Sequence, residues 1–321
     1  MYKYYISKVF QYLLVLWVVL TLNFFLPRWM PGDQVKFILG QDATSISPEM
    51  RAQVEEEYGL NDPVIVQYVN YLKGILTGDF GYSYQKDRPV VDLIAERLPW
   101  TVALSLVNIV LTTLIGSILG VIAAWNRTKK TDVVLGSIMM FLKSMPSFWV
   151  GMILIAVFGA TLGWLPTYGA RTMWADYTGL EWLADVAKHM ILPSVTMLVL
   201  SLSSTFVTMR YSMIDTLSED YIMMARIKGV PERKIRYRHA MRNALIPVAT
   251  SVMMDLGYIV GGSTIIETVF AYPGTGRLMY EAVTARDFPL IQGCFLISTI
   301  CVLVANIVAD LIYPILDPKV V

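Results

Sequence analysis

Cysteine and histidine are scarce, two of each in 321 residues. Cys294 and Cys301 stand in one apolar run, about 10.5 Å apart along a helix axis and beyond disulfide reach, so no cross-linked framework holds the fold. With His189 and His239 as the only imidazoles, a multi-ligand metal site built by this chain alone is not expected. Charge is thin as well: 16% of residues are charged against 55% hydrophobic, and the mean hydropathy is +0.54. That balance excludes a disordered chain and an ordinary soluble enzyme. A phosphate-binding loop is also missing. The nearest approach, Gly136 to Lys143-Ser144, lacks the second glycine and lies inside an apolar run where no phosphate could reach it, so ATP would be hydrolysed elsewhere. The formal charge of +1 gives no bulk attraction to nucleic acid. No repeat or low-complexity tract stands out.

The apolar residues, by contrast, lie in long blocks. Six runs approach or exceed the ~20 residues that ~30 Å of hydrocarbon requires: Val9 to Leu26, Thr101 to Trp125, Val133 to Leu162, Met190 to Met209, Leu245 to Ile266 and Leu290 to Leu316. The first follows Lys3 and Lys8 as a signal peptide would, but runs into Pro27, Arg28 and Trp29 without a small-residue cleavage site, and reads as a retained span. Basic side chains resist translocation. With the N-terminus in the cytoplasm, the inner segments hold fourteen of the 26 Lys and Arg, eight of them between the fourth and fifth spans, and the two short outer loops hold four. Both termini are therefore expected inside.

The outer segment from Met30 to Trp100 is too long for a bare connection. Ser47 suits an N-cap, Pro48 a first helical position and Gly59 a left-handed exit; Asp62-Pro63 repeat the start signal before a stripe of Val64, Tyr68, Leu72 and Ile75, closed by Gly74 and Gly78. The expected organisation is a spanning helix plus a small helical cap over residues 1–100. A five-helix core follows over 101–321, with a cytoplasmic loop at about 210–244.

That loop is the most informative stretch. Thr216 and Ser218 offer caps, Glu219 and Asp220 favour a helix N-terminus, Arg226 and Lys228 its C-terminus, and Gly229 the exit, which predicts a short helix from about Glu219 to Lys228. Pro231 in a first turn beside Glu232 starts a basic helix through Lys234, Arg236, Arg238 and Arg242 toward Pro247. Ala225 and Gly229, four apart, form a small-residue face that another backbone could approach. The plainer reading is an interfacial helix whose cations meet anionic headgroups.

The stretch Glu219-Asp220-Tyr221-Ile222-Met223-Met224-Ala225-Arg226-Ile227-Lys228-Gly229, with Arg238 to Pro247 following, resembles the cytoplasmic EAA loop of the membrane-spanning subunits of binding-protein-dependent ABC importers, of the dipeptide, oligopeptide and nickel subgroup. Met223 and Met224 replace the first two residues of the general motif, and Pro247 lies farther from Gly229 than in its general form, a departure typical of that subgroup. Outer-region motifs agree: Pro31-Gly32-Asp33, Tyr58 to Pro63, Gly78-Asp79-Phe80-Gly81 with Ser83, and Arg88-Pro89-Val90. So do Pro146 to Trp149, Thr268-Val269-Phe270, Tyr272-Pro273-Gly274 with Gly276-Arg277, Arg286-Asp287 with Pro289, and the closing Asn306, Asp310, Tyr313, Asp317 and Pro318. The resemblance implies an all-α, six-span type I ABC importer permease in a bacterial or archaeal plasma membrane, forming half of a pore that works by alternating access. A second permease, two ATPase subunits carrying ATP and Mg, and an extracytoplasmic solute-binding protein would be its partners. No cofactor is implied on this chain. It further implies that the ATPases are met by Asp220, Ala225, Arg226, Lys228, Gly229, Glu232 and Arg233.

Two charges fall deep in the spans. Lys143 and Asp255 each lie about 15 Å from the cytoplasmic end, at matching depth. A charge there is retained when paired or facing water, so the pair is either a structural ion pair or a lining of the pore. Peptides are the favoured solute. Oligosaccharides or nickel chelates fit the same architecture. An ion-gradient-driven carrier could use the paired charges as a relay but is disfavoured by the basic loop and the lack of an evident inverted repeat, and a scaffold without transport would not need a mid-membrane Lys and Asp.

Overall fold

The computed structural model describes residues 2–29, 34–39, 47–57, 59–257, 259 and 264–316. In chain order these form α1 (Tyr2–Trp29), α2 (Gln34–Leu39), α3 (Pro48–Glu57), α4 (Val64–Thr77), β1 (Tyr82–Ser83), β2 (Arg88–Pro89), α5 (Val90–Trp125), α6 (Lys130–Ser144) and α7 (Ser147–Leu154). A π-helical stretch, Ile155–Thr161, continues α7. Then come α8 (Gly179–Leu217), α9 (Asp220–Ile227), α10 (Glu232–Lys234), a second π stretch Ile235–Ala240, α11 (Met241–Gly257), α12 (Thr264–Val269), α13 (Thr275–Ala285) and α14 (Phe288–Leu316). The motif residues Pro31-Gly32-Asp33, Tyr58, Asp317 and Pro318 lie outside the described residues.

Among the described residues, α1, α5, α8 and α14 are each long and apolar enough to cross a membrane. The run from Val133 to Leu162 is not one straight span: α6 and the α7 segment meet at 98°. Pro146 has no N–H to donate and drives Met145 out of the helical region, to φ −78° and ψ 134°. Each arm is then a half-span, and a fifth crossing exists only if the two arms count as one. The run 245–266 is likewise divided between α11 and α12, with residues 258 and 260–263 outside the described set.

The chain forms two compact units, one of Met1–Thr101, Val260–Thr264 and Pro273–Val304, the other of Val102–Ile259, Ile265–Tyr272 and Ala305–Val321. In the first, Ser47 caps α3 as its sequence suggests, its Oγ accepting from the Met50 amide at 3.2 Å, and Gly59 and Gly78 take the left-handed exits at φ +56° and +80°. Val35, Ile38 and Val54 make a small buried core beneath Leu60 and Tyr84. The two strands pair antiparallel, Tyr82 opposite Pro89 and Ser83 opposite Arg88. Their hairpin is pinned to the corner between α13 and α14: the Ser83 hydroxyl donates to Asp287, whose other oxygen accepts from the Leu290 amide at 3.2 Å and so caps α14. Lys86 reaches Glu281 at 2.9 Å. Val90, Leu93, Ile94, Leu278, Leu290 and Cys294 close the core below.

Asp287 is 1% exposed. Burial pushes its carboxyl above the usual 3.8, outweighing the Ser83 and Leu290 hydrogen bonds and the charge of Lys86, all of which pull it down. The folded state then holds this proton more tightly than the unfolded chain does. The group therefore favours folding most at acid pH, and that contribution is lost as pH rises through the folded value. Asp287→Asn keeps an acceptor for Leu290 and carries no charge. It is expected to raise the melting temperature of the detergent-solubilised protein near pH 7 and to leave it unchanged near pH 4. A difference that stays flat or shrinks with rising pH refutes the assignment.

The second unit is built on α8. Gly116 and Gly120 of α5 meet its Thr205, Phe206 and Met209, small residues at i and i+4 being the device that lets helices approach closely in lipid. Ala123, Met139, Leu202 and Phe206 form the buried contact of α5, α6 and α8.

Candidate functional site

At the far end of α8 the chain turns into the basic loop. The Ser218 hydroxyl donates to the Asp215 carbonyl at 2.6 Å and that of Thr216 to Ser212 at 2.8 Å. Both thus close α8 instead of capping the next helix, as their types suggested, and Glu219 takes the N-cap position with extended backbone. Helix α9 runs Asp220–Ile227, one residue inside the predicted limits at each end. It stops in a paired turn: the Gly229 amide donates to Arg226 O at 2.9 Å and the Val230 amide to Ala225 O at 3.1 Å, with Gly229 at φ +73°. This is the Schellman arrangement, and glycine is the residue that enters that φ without steric cost.

Pro231 stands one place earlier than predicted, as the N-cap of α10. The expected single basic helix is interrupted by the π stretch. Ile235 and Ala240 are both fully buried but five residues apart, a spacing that diverges by about 140° around an α-helix. A turn bonded i to i+5 brings them to the same side, and both join Val121, Met209, Met213, Ile222 and Ala244 in one cluster. Arg236 does not reach outward either; its guanidinium lies 4.2 Å from the centre of the Trp125 ring.

This anchoring decides which face of α9 is presented. Ile222 is 0% exposed and Ala225 packs partly against the same cluster, while Met223, Met224 and Ile227 are 63%, 52% and 69% exposed. Ala225 and Gly229 therefore do not form one outward helix face. Ala225 turns in part toward the chain's own core, and Gly229 lies beyond the helix, where an added Cβ would meet nothing within 4 Å. Around the apolar triplet stand exposed Asp220, Arg226, Lys228, Glu232 and Arg233, Arg226 and Glu232 being 3.3 Å apart. Beside it Asn243 donates to the Tyr221 hydroxyl at 2.7 Å, on the wall of a groove of about 610 Å³ that Arg238, His239 and Arg242 also line. Sequence reasoning passed over the triplet, although three large apolar side chains among charges in a basic loop were a signal in their own right.

Lys143 and Asp255 are both exposed on the surface of the unit, and among the described residues no ion pair joins them. Lys143 sits in the last turn of α6, where a cation complements the helix dipole. A part-buried charge pair that does form is one the sequence did not announce. Arg210 of α8 grips Asp132 in the first turn of α6 through two parallel bonds, Nε to Oδ1 at 2.6 Å and Nη2 to Oδ2 at 2.7 Å. The Thr128 amide adds a third at 3.3 Å. This fork holds α6 against α8 at the base of the bent pair.

The family described as "Binding-protein-dependent transport system inner membrane component" matches residues 116–321, and the one described as "Binding-prot-dependent transport system membrane comp, N-term" matches residues 1–105. The oligopeptide transport system permease protein AppB of Bacillus subtilis (strain 168) is 35% identical over 321 residues, covering 100% of this chain and 99% of that protein. The glutathione transport system permease protein GsiC of Escherichia coli (strain K12) is 36% identical over 322 residues, with the same coverage. In three dimensions the chain resembles the inward-facing methionine ABC transporter MetNI, with a TM-score of 0.54 at 16% identity, over 70% of this chain and 96% of that one. Matched along nearly its whole length, the all-α chain with its apolar helices belongs to the family of binding-protein-dependent transport system inner membrane components, as a non-catalytic, multi-pass permease subunit with the type I ABC importer fold.

Proposed function

We propose that this permease forms half of the pore of an ATP-driven importer of di- or oligopeptides, and that α9 is the element through which partner ATPases drive it. The observation that carries the proposal is the shape of α9: rooted in the core by Ile222, outward-facing through Met223, Met224 and Ile227, and stopped by the Gly229 turn. The peptide class is supported by the relatives named for oligopeptide and glutathione transport. In this reading six spans place both termini in the cytoplasm. Residues 1–100 carry the first span and an extracytoplasmic cap, 101–321 the core, and about 210–244 the coupling loop. Asp220, Arg226, Lys228, Glu232 and Arg233 supply polar contacts to the ATPase around the apolar triplet. Ala225 and Gly229 set the helix position and its end. A second permease completes the pore, two ATPase subunits bind ATP and Mg beneath it, and a solute-binding protein delivers the peptide from outside.

Lys143 and Asp255 are the pore candidates, since an exposed charge on a spanning segment is stable only against water or another subunit. A lysine meets a carboxylate and an aspartate an ammonium. In vesicles holding the complete transporter, Lys143→Met is expected to slow ATP-driven uptake of a tripeptide with a free C-terminus by about tenfold, the loss of roughly one charge-assisted hydrogen bond. The amidated tripeptide is expected to be spared. Equal loss for both removes Lys143 from the pore; uptake of an oligosaccharide or of chelated nickel in place of any tripeptide overturns the solute assignment.

A further inference from the structure

A second cavity has no place in the coupling mechanism. It measures about 560 Å³ and opens in the first unit between the last turn of α1, α4, the hairpin and the first turns of α14, within the size range of small-ligand sites. Its walls are fixed. Asn23 and Gln292 exchange hydrogen bonds between α1 and α14 at 3.0 and 2.9 Å, and the Tyr71 hydroxyl accepts from Asn23 at 3.2 Å. Arg28, on the cavity wall, is clamped: one terminal nitrogen donates to the Phe24 carbonyl at 2.8 Å and the other to Gln67 at 2.6 Å. Its guanidinium lies 3.6 Å from the centre of the Phe24 ring. Gln67 is held in turn by the Leu60 and Asp62 carbonyls.

These bonds use two of the five guanidinium N–H groups, and no carboxylate lies within ion-pair distance of Arg28 among the described residues. Burial disfavours its charged form. A fixed, partly desolvated cation with no counter-ion among the described residues faces a cavity. The cavity also holds one anion, Asp79, which accepts the Gly81 amide at 3.0 Å. Its level in the membrane is set by its own walls: Phe24 belongs to the apolar stretch Ser7–Phe25, and Gln292 and Leu296 to the first turns of Phe288–Leu311. Phe25 stacks at 5.6 Å on Trp29, which is 70% exposed, an aromatic placed as side chains are at a headgroup boundary.

We propose that this cavity binds the head group of a zwitterionic phospholipid carrying a primary amine, its phosphate on Arg28 and its ammonium on Asp79. Arginine suits a phosphate because its donors are planar and can bind it in pairs. The free termini of a peptide share this zwitterion chemistry. The level of the cavity at the end of two spanning segments, and its apolar Phe24, Phe80 and Leu296 walls, favour the lipid.

The test is native mass spectrometry of the assembled permease complex, delipidated in detergent and then titrated with phosphatidylethanolamine or phosphatidylglycerol. The parent is expected to retain one phosphatidylethanolamine per copy of this chain in preference to phosphatidylglycerol. Arg28→Gln is expected to lower that retention about tenfold at fixed lipid concentration, the loss of about one charge-assisted contact. Arg28→Lys is expected to recover part of it. Asp79→Asn is expected to keep phospholipid binding but lose the preference for the amine, and gives an independent reading if Arg28→Gln does not assemble. Equal retention by the parent and both neutral variants overturns the proposal. Displacement of the lipid by a millimolar tripeptide that itself binds through Arg28 also overturns it and assigns the cavity to solute.

Discussion

Gly120→Leu is expected to leave almost no folded permease in the membrane. A Cβ at this position would stand 2.7 Å from Met209 Cβ and 2.9 Å from the Phe206 carbonyl oxygen. The second neighbour is backbone, so it cannot yield without moving α8 as a whole. Both facing residues are buried, Phe206 to 1% and Met209 to 0% exposure. Overpacking a tight core costs about 1–3 kcal/mol where side chains alone must move, and more where backbone must. Two helices in lipid gain no hydrophobic compensation for separating, because the tails are as apolar as the side chains that lose contact. The measurement is the yield of monodisperse protein after detergent extraction, with a melting curve on what remains. Gly120→Ala should be intermediate. Gly136→Leu is the control, since a Cβ there meets nothing within 4 Å, and it should match the parent. Equal yields for Gly120→Leu and Gly136→Leu would show that α5 and α8 do not depend on this close approach.

How legible such features are depends on how local their causes are. The limits of α9 could be read to within one residue at each end because Asp220, Arg226 and Gly229 act on their own turn. The same holds for Ser47 and Gly59, whose cap and left-handed exit need nothing from the rest of the chain. The bend at Met145-Pro146 was signalled by the proline, but an apolar run thirty residues long reads as one span unless that local rule outranks length. The π stretch was beyond reading: it exists so that Ile235 and Ala240 share one buried side, a demand set by Met213 and Ile222 across the cluster. Distance in sequence hides the rest. Arg210 finds Asp132 across 78 positions and Ser83 finds Asp287 across 204, and no spacing rule connects either pair. Charge counting gives an expected side for the loop, yet only packing reveals which face of α9 is left exposed.

Because Ile222 anchors that helix from behind, the outward face can be changed without unfolding it, and the double variant Met224→Asp/Ile227→Asp should separate docking from folding. In the parent these two side chains are 52% and 69% exposed, so carboxylates there meet water in the free permease and cost its stability little. Against an ATPase surface the outcome reverses. Burying an apolar side chain of this size contributes about 1.5–3 kcal/mol, and the variant loses two such contributions while placing two charges where neither has a partner. Retention of the ATPase subunits on the tagged permease should fall by at least about 100-fold. ATP-driven uptake should vanish, and the melting temperature of the isolated permease should stay within about 2 °C of the parent. Ile222→Asp is the contrasting case. It buries a charge in the cluster of Met209, Met213 and Ala244, and the permease itself should fail to accumulate. If the double variant keeps its ATPase subunits, α9 is not the contact, and an interfacial helix resting on anionic headgroups takes its place. That alternative makes its own demand: vesicle binding by the loop should then fall with added salt and with loss of Arg233 and Lys234, exposed beside Pro231 on a groove of about 460 Å³. Docking predicts retention that salt weakens only through the charges around the triplet, because burial of Met223, Met224 and Ile227 is not screened.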